Sequence, residues 1–155
     1  MADALEDTLI LTLETGPVTI RLRPDLAPGH VARIKELVRE GFYDGVVFHR
    51  VIPGFMAQGG DPTGTGRSGS DRPNLKAEFS AEPHVRGVCS MARTANPDSA
   101  NSQFFICFAD ARFLDNQYTV WGEVTEGMDA VDALPKGEPP RDPGKIVTAK
   151  VAADV

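Results

Sequence analysis

Arg50 is the residue of this chain best placed to do chemistry. It stands in the run Phe48-His49-Arg50-Val51-Ile52-Pro53-Gly54-Phe55-Met56-Ala57-Gln58-Gly59-Gly60, a permanent cation set among apolar side chains. A guanidinium is costly to bury unless a polar partner meets it. Gln58, eight residues on, offers an amide for that purpose. Two readings are open. The run is a strand–turn–strand with one solvated arginine, or it is the wall of an apolar pocket that holds one polar tool. In the second case the tool is a hydrogen-bond donor and not an acid or base, because arginine stays protonated at working pH.

Other chemistries find little material. His30, His49 and His84 form neither an H-x-x-x-H nor an H-x-H pair, and no C-x-x-C is present, so no metal site is expected. There is no G-x-S-x-G elbow. The loop Asp61-Pro62-Thr63-Gly64-Thr65-Gly66-Arg67-Ser68-Gly69-Ser70-Asp71-Arg72-Pro73 resembles a phosphate cradle only superficially. It lacks the G-K-[ST] ending and leads to a proline instead of a helix, so a mobile surface loop is expected. Neither a cofactor nor a covalent nucleophile is anticipated. Cys89 and Cys107 lie in apolar runs and read as buried free thiols. His30 and His84 read as surface residues and His49 as structural.

The elements that must position Arg50 are mostly strands. Leu9, Leu11 and Leu13 alternate with other residues, and Val18, Ile20 and Leu22 do so after the break at Thr15-Gly16-Pro17. Period two means strands, here a hairpin. Pro28 opens a helical pattern in which Val31, Ile34, Leu37 and Val38 share a face, and Gly41 stops it. Further strands are expected at 46–51, 55–58, 86–92, 103–108, 118–124 and 146–152, with a short helix at 127–134. Many short strands with two helices suggest an antiparallel barrel or sandwich capped by helix. In a regular 103–107 strand, Phe104 and Phe105 point to opposite faces.

At 155 residues the chain reads as one domain. Lys plus Arg number 16 against 22 Asp plus Glu, a formal charge of −6. That balance argues against nucleic acid or an anionic membrane as partner. The first residues, Met1-Ala2-Asp3-Ala4-Leu5-Glu6-Asp7, carry no basic and apolar leader, so a cytoplasmic protein is expected.

A second segment brings a family into view. Ser90-Met91-Ala92 and Ser102-Gln103-Phe104-Phe105-Ile106 follow the Arg50 run. Leu114-Asp115, Tyr118-Thr119-Val120-Trp121-Gly122 and Val124-Thr125-Glu126-Gly127-Met128 continue in order. From about residue 8 to 151 the chain resembles the cyclophilins, in particular the small bacterial branch. The resemblance implies a mainly β fold, a closed eight-stranded antiparallel β-barrel capped by two α-helices. It places residues 1–155 in one isomerase domain, with about 1–7 flexible. It implies peptidyl-prolyl cis-trans isomerase activity that assists protein folding. Its partners would be proline-containing peptides and unfolded or folding proteins, and a monomer is expected. The alternative is a binding module or chaperone for proline segments in which catalysis is incidental.

Matched residue by residue, Arg50 is similar to the catalytic arginine and Gln58 to the partner that orients it. Phe55, Met56 and Phe105 match the floor and walls of the proline pocket. Gln103 matches a substrate-contacting glutamine, and Ala92 and Arg93 match positions facing the peptide backbone. Phe113 and Leu114 match the outer wall, and Tyr118 a position that is often His. Arg93 stands where the family usually has Asn. Phe113 stands where many members have Trp, whose indole N–H contacts the inhibitor cyclosporin. Phenylalanine has no such donor, so weak cyclosporin binding with retained activity is expected.

Overall fold

A computed structural model of the chain describes residues 2–155. The alternating leucines form β1 (Thr8–Leu13), which turns back on β2 (Gly16–Leu22) with Leu13 opposite Gly16. The inward residues Leu9, Leu11, Leu13, Val18, Ile20 and Leu22 are all buried. The remaining strands are β3 (Arg50–Ile52), β4 (Met56–Gly59), β5 (Val88–Met91), β6 (Phe104–Cys107), β7 (Val120–Glu126) and β8 (Ile146–Val151). They form one antiparallel sheet in the order β3-β4-β6-β5-β7-β2-β1-β8.

A short helix α1 (Ala2–Glu6) precedes the sheet. Helix α2 (Pro28–Arg39) begins on Pro28, where a missing N–H costs nothing. Ala27 cannot cap it, and the Glu78 carboxylate does so from a distant loop, accepting from Gly29 N at 3.2 Å and His30 N at 2.8 Å. At the other end Gly41 takes a left-handed φ of 75°. Gly41 N bonds to Val38 O and Phe42 N to Leu37 O, a Schellman stop. His30, Val31, Ile34, Leu37 and Val38 face the sheet. Helix α3 (Met128–Asp132) is the shorter cap and buries Ala130 and Val131.

The sheet curls but does not close as a barrel. Strands β3 and β8 are its edges and share no ladder. Only local bonds span the gap, among them Ile146 N to Val46 O (2.9 Å) and Phe48 N to Gly144 O (2.9 Å). The cause lies in the connecting chain. Pro135, Pro139, Pro140 and Pro143 occupy the segment that would extend the ladder, and proline has no N–H to donate. The expected strand at 46–51 is observed as β3 over Arg50–Ile52, with Val47 forming only an isolated bridge to Lys145.

Two histidines depart from expectation. His30 and His84 are both 0% exposed. Each is buried with a carboxylate brought from far along the chain: Glu78 lies 2.5 Å from His30 Nδ1, and Asp115 lies 2.9 Å from His84 Nδ1. Burial holds His30 below the ordinary imidazole value against the pull of Glu78. Both cysteines are free and buried, and burial pushes the Cys107 thiol up to about 12.

The sheet carries two apolar clusters. Val51, Ala57, Cys89, Met91, Phe104, Ile106 and Trp121 join the large core inside the curl with β1, β2 and α2. Met56, Val88, Phe105, Cys107, Ala111 and Val120 form a second, smaller cluster on the opposite face.

Candidate active site

The second cluster is the base of a pocket. Strand pairing places Arg50 opposite Gln58 and Gln58 opposite Phe105, with Met56 opposite Cys107. Alternation then puts Arg50, Met56, Gln58 and Phe105 on one face. Phe55, Ala92, Leu114 and Tyr118 pack around the cluster they form. The resulting pocket, about 140 Å³, is lined by Arg50, Phe55, Met56, Gln58, Ala92, Arg93, Phe105, Leu114 and Tyr118. Drug-sized ligands occupy roughly 300–1,000 Å³. This pocket has room for one compact apolar ring.

Arg50 is held from two sides. Its Nε donates to Glu138 Oε1 at 2.8 Å and its Nη1 reaches Gln58 Oε1 at 3.4 Å. Gln58 Nε2 donates to Gln103 Oε1 at 3.0 Å. Gln103 Nε2 in turn donates to the carbonyls of Gly66 and Ser68 at 3.0 and 2.9 Å. A chain of side chains thus runs from Glu138 through Arg50, Gln58 and Gln103 to the glycine-rich loop. Among the described residues, Arg50 Nη2 has no protein partner.

That loop is anchored, contrary to the expected mobility. The buried Asp61 carboxylate accepts from Thr63 N, Thr63 Oγ1, Thr65 Oγ1, Gly66 N, Arg67 N and Ser68 N. Burial alone would raise its pKa, but the bonds from Thr63, Ser68 and Gly66 outweigh it and hold the carboxyl well below the usual range. Gly60 leads into this turn with φ 100°, and a Cβ there would lie 2.4 Å from Ser102 O, so only glycine fits.

Beside the pocket runs a larger polar groove of about 890 Å³, bounded by residues 66–70, Arg93, Thr94, Asn96, Ser99 and 101–103. It shares Gln58, Ala92 and Arg93 with the small pocket. Arg93 Nε donates to Gln117 O and Nη1 to Thr94 O, both at 2.9 Å, while its guanidinium lies 4.7 Å from the Tyr118 ring centre.

Behind Phe105 sits an Asp115–His84–Ser90 array, with His84 Nε2 3.0 Å from Ser90 Oγ. It has the members of a hydrolytic triad but no access, since His84 and Ser90 are both 0% exposed. It ties Asp115, and with it Leu114, to the back of the pocket.

A family model for the cyclophilin type peptidyl-prolyl cis-trans isomerases matches residues 8–151. The chain belongs to the cyclophilin family. A probable peptidyl-prolyl cis-trans isomerase of Brucella suis is 55% identical, with 96% of this chain and 84% of that protein covered. Peptidyl-prolyl cis-trans isomerase B of Bacillus subtilis is 43% identical over 81% of this chain and 89% of its own. A crystal structure of a cyclophilin from Hirschia baltica superposes with TM-score 0.90 at 34% identity, covering 97% of this chain and 76% of that one. A Cryptosporidium parvum cyclophilin, crystallised in the presence of the dipeptide Ala-Pro, gives TM-score 0.87 at 27% identity, covering 93% and 98%.

In this cyclophilin, nine of the expected site residues line the one small pocket. Two stand elsewhere. Gln103 lines the groove, with its amide hydrogens already bonded to the loop. Phe113 is on the rim, 67% exposed, its ring centre 5.6 Å from that of Phe55. Ala92 N is spent on Gln103 O at 3.0 Å. Glu138 was not foreseen: it sits in a turn-rich stretch, and only the pairing of Val51 with Gly137 brings it beside Arg50. Asp61 had a local signal, an aspartate just ahead of a Thr- and Gly-rich turn.

Proposed function

We propose that the small pocket seats the proline ring of a peptide and that Arg50 Nη2 stabilises the twisted transition state of the X–Pro bond. The peptide bond resists rotation because nitrogen donates its lone pair to the carbonyl, a barrier of about 18–20 kcal/mol. On twisting, the prolyl nitrogen becomes pyramidal and recovers that lone pair. A donor aimed at it binds the transition state better than either planar isomer, and no proton is transferred.

The residues divide the work accordingly. Phe55, Met56, Phe105 and Leu114 supply an apolar seat for the ring, and Tyr118 closes one side. The surrounding apolar walls lower the local dielectric and strengthen the donor. Glu138 and Gln58 occupy Nε and Nη1, which leaves Nη2 as the free arm of the guanidinium. The Arg93 main chain would hold the peptide. Uncatalysed exchange at about 0.01 per second must rise to roughly 1–1,000 per second, a gain of about 3–7 kcal/mol. One charge-assisted hydrogen bond plus orientation is of that size.

The observation that carries this reading is the braced guanidinium at the mouth of a ring-sized pocket. A module that only bound proline segments would not need the brace. Arg50→Ala should reduce isomerisation of a proline peptide by at least about a hundredfold, with an unchanged circular dichroism spectrum. Undiminished turnover would refute it. Clients would be proline-containing segments of folding chains. Phe113 presents no side-chain N–H at the rim, so low-nanomolar inhibition by cyclosporin is not expected.

A further inference from the structure

We propose that the groove beside the proline pocket is a subsite for an acidic side chain, in which Arg67 and Arg93 select peptides carrying a carboxylate within three residues of the proline. The inference rests on the isomerase reading above and adds to it a substrate preference. The groove and the pocket meet at Gln58, Ala92 and Arg93, so a peptide leaving the pocket on that side enters the groove. Three extended residues reach about 10 Å.

The charges in the groove have one sign. Arg67 and Arg93 line it, and every other lining residue is neutral. In a chain of formal charge −6 this is not a background effect. Of the nine arginines outside the groove, Arg21, Arg23, Arg39, Arg50, Arg72, Arg86 and Arg112 pair with carboxylates, Arg33 donates to the carbonyls of Asn101 and Pro73, and Arg141 forms no ion pair among the described residues. Arg67 and Arg93 form no such pair among the described residues. The nearby acids are committed or turned away. Asp61 lies under the loop with six donors on it. Asp98 accepts from Ala77 N, and Asp71 is solvated beside Arg72.

Arg93 is set in position without being cancelled, and Arg67 is fixed through its main chain, with its side chain exposed at the groove. Two carbonyls, Gln117 O and Thr94 O, orient the Arg93 guanidinium, and the rings of Tyr118 and Phe79 lie 4.7 and 5.8 Å from it. Its Nη2 is left without a protein partner among the described residues. The main chain of Arg67 is pinned by its N–H to Asp61 Oδ2 at 3.0 Å. A planar fork held in this way suits a carboxylate.

The test is a peptide series. Peptides differing only in Glu, Gln or Lys at each position from three before to three after the proline are compared by kcat/KM at low salt. Glu should exceed Gln by about three- to fivefold at one or two positions, the size expected of partly exposed ion pairs, with Lys below both. The Glu-to-Gln ratio should fall to about one in 1 M salt and in Arg67→Gln/Arg93→Gln, each protein being its own reference. Arg67→Gln alone should halve the preference or more. Equal turnover of the three peptides, or a Glu preference that survives in the double variant, overturns the subsite and leaves the isomerase standing. No turnover of any peptide by the parent protein overturns both.

Discussion

Phe104 and Phe105 are neighbours on β6 and belong to different parts of the molecule. Phe104 packs edge-on against Tyr43, Phe48 and Trp121 inside the curl of the sheet. Phe105 meets His84 and Tyr118 on the other face, under the proline pocket. The inner face is a packed core and nothing more. The outer face, on a small apolar base of its own, is where the proposed mechanism places the chemistry. On that proposal stability and activity are divided by strand parity, and a mutation one residue along changes which of them is lost.

The sharpest way to break that division is to truncate each ring in turn. Phe104→Ala should cost about 4 kcal/mol in urea unfolding, with kcat/KM per folded molecule nearly kept. Phe105→Ala should cost about 3 kcal/mol and also raise KM severalfold. Equal losses of activity from the two would contradict the division.

Asp61 tests whether the outer face depends on its loop. Asp61→Asn should destabilise the protein by about 2–3 kcal/mol and lower activity through Gln103. The sign of the pH effect follows from a folded pKa held below the unfolded one. The contribution is present above the unfolded value of about 3.9 and is lost as pH falls below it. The stability curves of parent and variant should therefore converge in acid. A constant difference down to about pH 2 would contradict the assigned role.

Glu138 gives a smaller and more local effect. Glu138→Gln keeps an acceptor for Arg50 Nε but removes the charge, and should reduce kcat by about three- to tenfold with KM little changed. Glu138→Ala should do more. Loss of stability without loss of kcat would make this residue part of the loop only.

Much of this could be read from the chain. Alternation marked β1 and β2, and the ordered motifs brought nine pocket residues together. The sequence misled where partners come from far away. His30 and His84 are polar residues with no local reason for burial, and Glu78 and Asp115 supply it across tens of residues. Glu138 is 88 residues from Arg50, and no periodicity links them. The open edge between β3 and β8 follows from four prolines whose missing donors matter only once the strands are side by side. Local patterns specify elements and faces. They do not specify which loop reaches which side chain.

In the proposed mechanism Arg50 acts on the twisted bond and not on the resting peptide. Exchange spectroscopy by NMR on a proline peptide, with and without Arg50→Ala, separates the two by giving both Kd and the cis–trans rate on the protein. In the variant the on-protein rate should fall by at least about a hundredfold with Kd changed by less than about threefold. A variant that loses affinity while the bound peptide still interconverts at the parent rate would contradict it.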